Sequence, residues 1–149
     1  MRVVIQRVQK AKVTVDQKIV GQIDNGFLIL LGVGHHDSED DMDYLVRKIA
    51  NLRIFEDEEQ KMNRSLLDTQ FDCMVVSQFT LFADCKKGNR PSFIEAALPQ
   101  KANEMYLRFV KKMEEALGKS IPTGIFGASM QIELINDGPV TIVLDSKLK

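Results

Sequence analysis

The sequence has no tryptophan, only two cysteines, two histidines and four prolines, and no long apolar run. Each shortage closes a class of explanation. Crossing a bilayer as a helix takes about 20 consecutive apolar residues, whereas the longest candidate, Phe27-Leu28-Ile29-Leu30-Leu31, has strand length. The opening Met1-Arg2-Val3-Val4-Ile5-Gln6-Arg7-Val8 carries charges inside its apolar stretch, which does not read as a secretory signal. Cys73 and Cys85 stand at no metal-ligand or thioredoxin-like spacing, so free thiols in a reducing cytoplasm are expected. His35 and His36 are adjacent, and adjacent residues seldom point the same way. With no Cys or carboxylate at familiar ligand spacing beside them, no metal is expected.

Cofactor motifs are missing too. Gly32-Val33-Gly34 lacks the third glycine of a dinucleotide fingerprint and reads as a strand-to-loop turn. There is no Gly-x-Ser-x-Gly elbow and no phosphate loop, so no cofactor is expected. Basic and acidic residues nearly cancel, 20 against 21, for a net charge of −1. Broad, sequence-independent binding of nucleic acid needs a large basic surface, which this balance argues against, so DNA is not an expected partner. It leaves room for a local basic patch around one end of an RNA.

What is present is ordinary globular material. Of 149 residues, 44% are hydrophobic and 28% charged, with no repeat, linker or low-complexity tract, which predicts one domain. Val3 to Val8 and then Ala11 to Val15 alternate apolar with polar, and a turn at Asp16-Gln17-Lys18 leads to Ile19–Ile23, the pattern of a hairpin with one buried face. Asp24-Asn25-Gly26 is a turn. Phe27–Leu31 is continuously apolar, as in a strand covered on both faces.

Ser38 caps a helix over Met42, Leu45, Val46, Ile49 and Ala50, with Asp41 at its third position and an end near Asn51. Arg53-Ile54-Phe55 reads as a short strand, 56–63 as a loop or hairpin tip, and Asp72–Ser77 as a strand. Pro99 opens the clearest helix. Ala102, Met105, Tyr106, Phe109, Val110, Met113, Ala116 and Leu117 form its apolar stripe, and Gly118 stops it. Gln131–Ile135 and Val140–Leu144 read as two strands joined by a turn at Asn136-Asp137-Gly138-Pro139. Strands dominate, so the expectation is an α+β fold, with a curved, barrel-like β-sheet core and two main helices in a single domain.

Two segments ask for more than packing. Ser77-Gln78-Phe79-Thr80-Leu81 places polar side chains at a strand end, where backbone N–H groups can bind a developing oxyanion; a plain turn is the competing reading. Asn136-Asp137-Gly138-Pro139-Val140-Thr141 contains a Gly-Pro pair, which adopts the cis form more readily than other dipeptides; an ordinary turn between strands competes here as well.

Taken together, these two segments resemble the signature motifs of the bacterial-type D-aminoacyl-tRNA deacylases. The opening segment 1–8, Gly88-Asn89-Arg90-Pro91-Ser92-Phe93 and Gly124-Ile125-Phe126-Gly127-Ala128-Ser129-Met130 resemble that family in the same order, so the likeness spans nearly the whole chain. It implies an α+β fold in a cytoplasmic homodimer with active sites at the interface, aminoacyl-tRNA as the substrate, and chiral proofreading in translation as the task. It further implies catalytic roles for Ser77, Gln78, Phe79 and Thr80. A cis Gly138-Pro139 from the partner subunit would hold the substrate so that an L side chain collides with backbone. Glycyl-tRNA, lacking a side chain, would then also be cleaved.

Two mechanisms stay open. Thr80 or Ser77 acts as a nucleophile, which needs a base within hydrogen-bond reach; or the protein positions the ester, offers an oxyanion hole near Phe79, and the ribose 2′-hydroxyl of the RNA helps activate water. Phe126 and Met130 offer an apolar surface for the terminal adenine, or else pack in the core. Lys86, Lys87 and Arg90 contact acceptor-stem phosphates, or else form a solvated loop. The rival functions are a non-catalytic RNA-binding module and a hydrolase of small esters or amides.

Overall fold

The computed structural model describes residues 1–148 of the chain. Its element order is β1 (Arg2–Val15), β2 (Lys18–Ile23), β3 (Gly26–Gly32), α1 (Glu39–Ala50), β4 (Phe55–Glu56), β5 (Met62–Arg64), α2 (Leu66–Thr69), β6 (Asp72–Ser77), a 3-10 turn (Phe79–Phe82), α3 (Pro99–Leu117) and β7 (Gln131–Asp145). The expected α+β class, with a curled sheet and two main helices, is what the chain adopts.

The two expected opening strands are one, β1, whose register against β7 shifts around Val8. Those shifts bend the strand. Its first part pairs with β3 and its second with β2, while β7 runs antiparallel along nearly its whole length. The β1–β2 turn places Asp16 and Gln17 at positive φ, the backbone a two-residue hairpin loop requires. β6 adds to β3 in parallel, and α1 lies in the crossover between them.

β3 and the middle of β6, residues 73–76, are apolar because both their faces are covered. Phe27, Ile29, Leu31, Cys73 and Val75 face a core completed by α1 and α3. Leu28, Met74 and Val76 face a second cluster with Val8, Ala11, Val13 and Ile23, over which Met130, Ile132 and Leu134 pack. The sheet therefore wraps back over one of its own faces. Each fully buried side chain of this size contributes about 1.5–3 kcal/mol.

Both main helices begin and end where their residues dictate. The Asp41 carboxylate accepts from the N–H and the hydroxyl of Ser38, each at 2.9 Å. Pro99 starts α3 and Gly118, in the left-handed region, ends it. The α3 stripe is buried as expected except for Ala116, which lies exposed at its margin.

Three local expectations change. The short strand is Phe55–Glu56 rather than 53–55, because the Ile54 carbonyl accepts from the Arg7 side chain at 2.7 Å instead of joining a ladder. The helix α2 was not anticipated, although Ser65 and Asp68 cap it reciprocally. Finally, residues 136–139 are not a turn between two strands. β7 is a single strand in which Asn136 pairs with Val8 and Thr141 with Gln6, so residues 137–140 bulge out opposite Arg7 alone.

Candidate active site

The end of β6 carries Ser77 and Gln78 into the 3-10 turn, which sits against the end of β3. Gly32 makes this approach possible: a Cβ there would lie 3.1 Å from both the Gln78 carbonyl oxygen and the Leu81 Cβ. The N–H groups of Phe79 and Thr80 open the turn and have no acceptor among the described residues, as expected of the first donors of any helical turn.

Beside them lies a groove of about 610 Å³. Val33, Val76, Ala97 and Ala102 contribute small apolar surface, and Phe79, Phe93, Phe126 and Met130 supply the larger side chains. Phe79 and Phe93 meet edge to face at 5.0 Å. Phe126 leans on Tyr106 at 6.0 Å, and the Tyr106 hydroxyl donates to the Val75 carbonyl at 3.0 Å. Gly124 makes room for Met130, whose sulfur would lie 2.5 Å from a Cβ there.

No ionisable side chain lines this groove among the described residues. Ser77 and Gln78 supply its only polar side chains, and Gln78 Nε2 donates a hydrogen bond to Thr80 Oγ1. His35 and His36 line a different cavity, with Met1, Arg2 and Asp37. No group of His, Cys, Asp and Glu suited to a metal ion occurs among the described residues. Cys73 is buried, which pushes its thiol up to about 12, and Cys85 is exposed; neither forms a disulfide.

The second segment is built differently. Asn136 Oδ1 accepts from the Val140 N–H at 2.8 Å, and Asn136 Nδ2 donates to Thr141 Oγ1 at 3.1 Å. Arg7 is buried beneath the bulge. Its Nε donates to the Asp137 carbonyl at 3.1 Å and lies 3.2 Å from the Asp137 carboxylate. The Gly138-Pro139 peptide is cis, and both residues are exposed. Gly138 has φ of 129°, and a Cβ on it would lie 2.7 Å from Val140 Cγ2, so no larger residue fits there without a shift.

The sequence had suggested four groups of site residues. Ser77, Gln78, Phe79, Phe126 and Met130 converge on the groove, and Thr80, which does not line it, is bonded to Gln78, which does. Gly138 and Pro139 do not join them within one chain. They lie level with Arg7, Phe27 and Cys73, whereas Ser77 lies level with Leu31 and Val3, at the other end of the ladder. Lys86, Lys87 and Arg90 are exposed on a loop closed by the Asp84–Ser92 backbone pair, and none has an ion-pair partner among the described residues. Sequence reasoning passed over Arg7 and Phe93. Arg7 had left a signal, since it occupies the inward side of an alternation with Val3 and Ile5. Phe93 gave none of a role, although it closes the segment 88–93 that carries part of the family resemblance.

Comparison with known proteins adds a relationship to this geometry. Residues 4–145 match the family model described as D-Tyr-tRNA(Tyr) deacylase. A D-aminoacyl-tRNA deacylase of Clostridioides difficile is 57% identical over 98% of this chain and 97% of its own length. One from Christiangramia forsetii is 54% identical over 100% and 99%. Among solved structures, one named c-Myc DNA Unwinding Element Binding Protein superposes with a TM-score of 0.93 at 41% identity, covering 97% of this chain and 98% of that one. A probable eukaryotic D-amino acid tRNA deacylase superposes at 0.83 with 18% identity over 96% and 97%, a likeness of fold.

Proposed function

This chain belongs to the D-Tyr-tRNA(Tyr) deacylase family, and from that premise we propose how its groove hydrolyses the ester that links a D-amino acid to tRNA. The aminoacyl ester enters with its carbonyl oxygen against the N–H groups of Phe79 and Thr80. The terminal adenine rests on Phe126 and Met130. Water attacks the carbonyl carbon, the tetrahedral oxyanion is held by those N–H donors, and collapse releases the ribose oxygen and the free amino acid. The 2′-hydroxyl of the same ribose takes part in moving the water proton.

The observation that carries this reading is that no ionisable residue lines the groove among the described residues. A nucleophilic Thr80 or Ser77 would need a base within reach, and the two histidines line another cavity. Positioning and oxyanion stabilisation can each lower the barrier by several kcal/mol, which suits an ester already prone to hydrolysis.

Chirality would be judged by a second subunit. Gly138-Pro139 projects from a rigid bulge far from its own groove, so it would enter the groove of a partner and leave no space for an L side chain. Two features favour a homodimer. β7 pairs only with β1, so its outer edge is unpaired among the described strands, and long bare edges tend to be covered. Ile135 and Val143, at 44% and 67% exposure, lie along that strand. Lys86, Lys87 and Arg90 would meet acceptor-stem phosphates. One structural relative is named for binding a DNA unwinding element; a role at duplex DNA fits this chain poorly, given its net charge of −1. The place of action would be the cytoplasm; among the described residues no helix is long and apolar enough to cross a membrane.

One assay tests the reading. D-tyrosyl-tRNA and glycyl-tRNA should be hydrolysed, while L-tyrosyl-tRNA and a free D-tyrosine ester are spared. A D-tyrosyl-tRNA ending in 2′-deoxyadenosine should turn over at least 10-fold more slowly. Intact glycyl-tRNA at high enzyme would sink the steric filter. Equal cleavage of the free ester would mark a small-ester hydrolase, and no cleavage of any substrate would leave an RNA-binding module.

A further inference from the structure

Arg2 takes no part in the groove, yet it grips the turn that does. Its Nη1 donates to the Leu81 carbonyl at 3.1 Å, and its guanidinium carbon lies 4.5 Å from the centre of the Phe82 ring. On its other side, Nε donates to Asp145 Oδ2 at 2.8 Å. The turn is held from beneath as well. Arg2 and Gly32 are cross-strand partners in the β1–β3 register, and Gly32 leaves the space into which Leu81 and Phe82 descend. At Gly34 a Cβ would lie 2.8 Å from the Phe82 ring. Gly32-Val33-Gly34, which matches no cofactor motif, is thus a floor cut to receive the 3-10 turn, and Arg2 is the clasp over it.

We propose that Arg2 is a positioning residue for the reaction: clamped by Asp145, it presses the Phe79–Phe82 turn onto the Gly32 and Gly34 floor and so fixes the Phe79 and Thr80 N–H donors at the groove. This rests on the reading of those donors as the oxyanion hole. A stability role is the weaker account, because Arg2 is 42% exposed and exposed ion pairs contribute little. The need for a guanidinium is geometric. One planar group pairs with a carboxylate, donates to a carbonyl and covers a ring at once, which a lysine ammonium cannot do. Donors held loosely lose much of their effect on a transition state, since a misplacement of about 1 Å can cost on the order of 100-fold in rate.

The test uses Arg2→Lys and Arg2→Gln in the full chain with D-tyrosyl-tRNA. Both should lower kcat by roughly 10- to 100-fold with KM within about 3-fold of wild type, and Arg2→Lys should keep the wild-type Tm. Wild-type kcat in Arg2→Lys, or a loss confined to KM, would overturn the proposal. A second readout does not depend on activity. The Leu81 and Ala83 N–H groups bond within the turn, to Gln78 and Thr80, and in Arg2→Gln they should exchange hydrogen about 10-fold faster while β6 amides stay unchanged. Unchanged exchange at the turn would overturn the clasp itself. Normal clasp behaviour in a wild-type protein that hydrolyses nothing would instead overturn the oxyanion reading on which the rate argument rests.

Discussion

The turn over 79–82 and the bulge over 137–140 are built on opposite plans. The turn opens with two N–H groups that have no acceptor among the described residues, borders a groove of about 610 Å³, and is exposed at Phe79 and Thr80. The bulge is braced by Asn136, which accepts from the Val140 N–H, and by Arg7, which donates to the Asp137 carbonyl, and it projects Gly138-Pro139 outward, neither of which lines the groove. One segment has room and unmet donors; the other has rigidity and nothing to act on. A groove with unmet donors in one place and a braced projection in another suggest a receptor and a probe. Because the two lie at different ends of one ladder, the contrast makes sense when one chain's probe fills another chain's receptor.

Complementation would break that comparison most sharply. Gly138→Ala should disable the probe, since its Cβ would overlap Val140. Ala128→Trp should fill the groove it lines. Each variant alone should lose at least 100-fold in kcat/KM on D-tyrosyl-tRNA. Mixed and allowed to exchange subunits, they should recover about a quarter of wild-type activity, because half the dimers are mixed and each of those has one intact site. Two inactive variants that stay inactive when mixed, with exchange verified, would confine receptor and probe to one chain.

Arg7 tests whether the probe's rigidity comes from beneath. The residue is 5% exposed and serves the Ile54 and Asp137 carbonyls together. Arg7→Met keeps the volume and removes every donor, so urea unfolding should show a loss of roughly 2–4 kcal/mol. Discrimination between D- and L-tyrosyl-tRNA should shrink in the variant. Retained discrimination would show that Asn136 and Gln9 hold the bulge without Arg7.

These two segments were not equally legible in the sequence. The receptor half was, because Asp72–Ser77 is a clean apolar strand running into polar residues. The bulge was misread as a turn: Asn-Asp-Gly-Pro is turn chemistry at short range, and only pairing with β1 shows that one strand passes through it. Arg7 was legible in principle, as a charge on the inward side of an alternating strand. The groove's walls were legible only in part: Phe126 and Met130 were named as an apolar surface, whereas Phe93, Ala97 and Ala128 look like the residues of any loop or helix entrance until the chain brings them together. The long helix was legible to its ends, since Pro99 and Gly118 act locally.

A smaller effect is expected at the basic loop. Lys86, Lys87 and Arg90 are exposed and unpaired among the described residues, so they can attract phosphate at no cost in broken ion pairs. Replacing all three by alanine should weaken tRNA binding by several-fold at low salt and flatten the dependence of log Kd on log salt by up to about 3. An unchanged slope would leave the loop a solvated surface and return recognition to the groove.

The smallest effect should come from the most conspicuous hydroxyl in the receptor. If Thr80 were a nucleophile, its oxygen would need to lose a proton to a base as it attacked. Among the described residues no base lines the groove, and the hydrogen bond shown for Thr80 Oγ1 is one it accepts, from the Gln78 side chain. A positioned amide donating to an oxygen stabilises it where it is and removes no proton from it. The backbone N–H of Thr80 survives mutation of the side chain, so the oxyanion reading keeps its donor in Thr80→Ala. That variant should therefore turn over D-tyrosyl-tRNA within about 5-fold of wild type, with the loss traceable to a freer Gln78. A fall of several orders of magnitude with unchanged substrate binding would put the reacting oxygen on the protein, and the groove would then have to find its base in the RNA or in the partner chain.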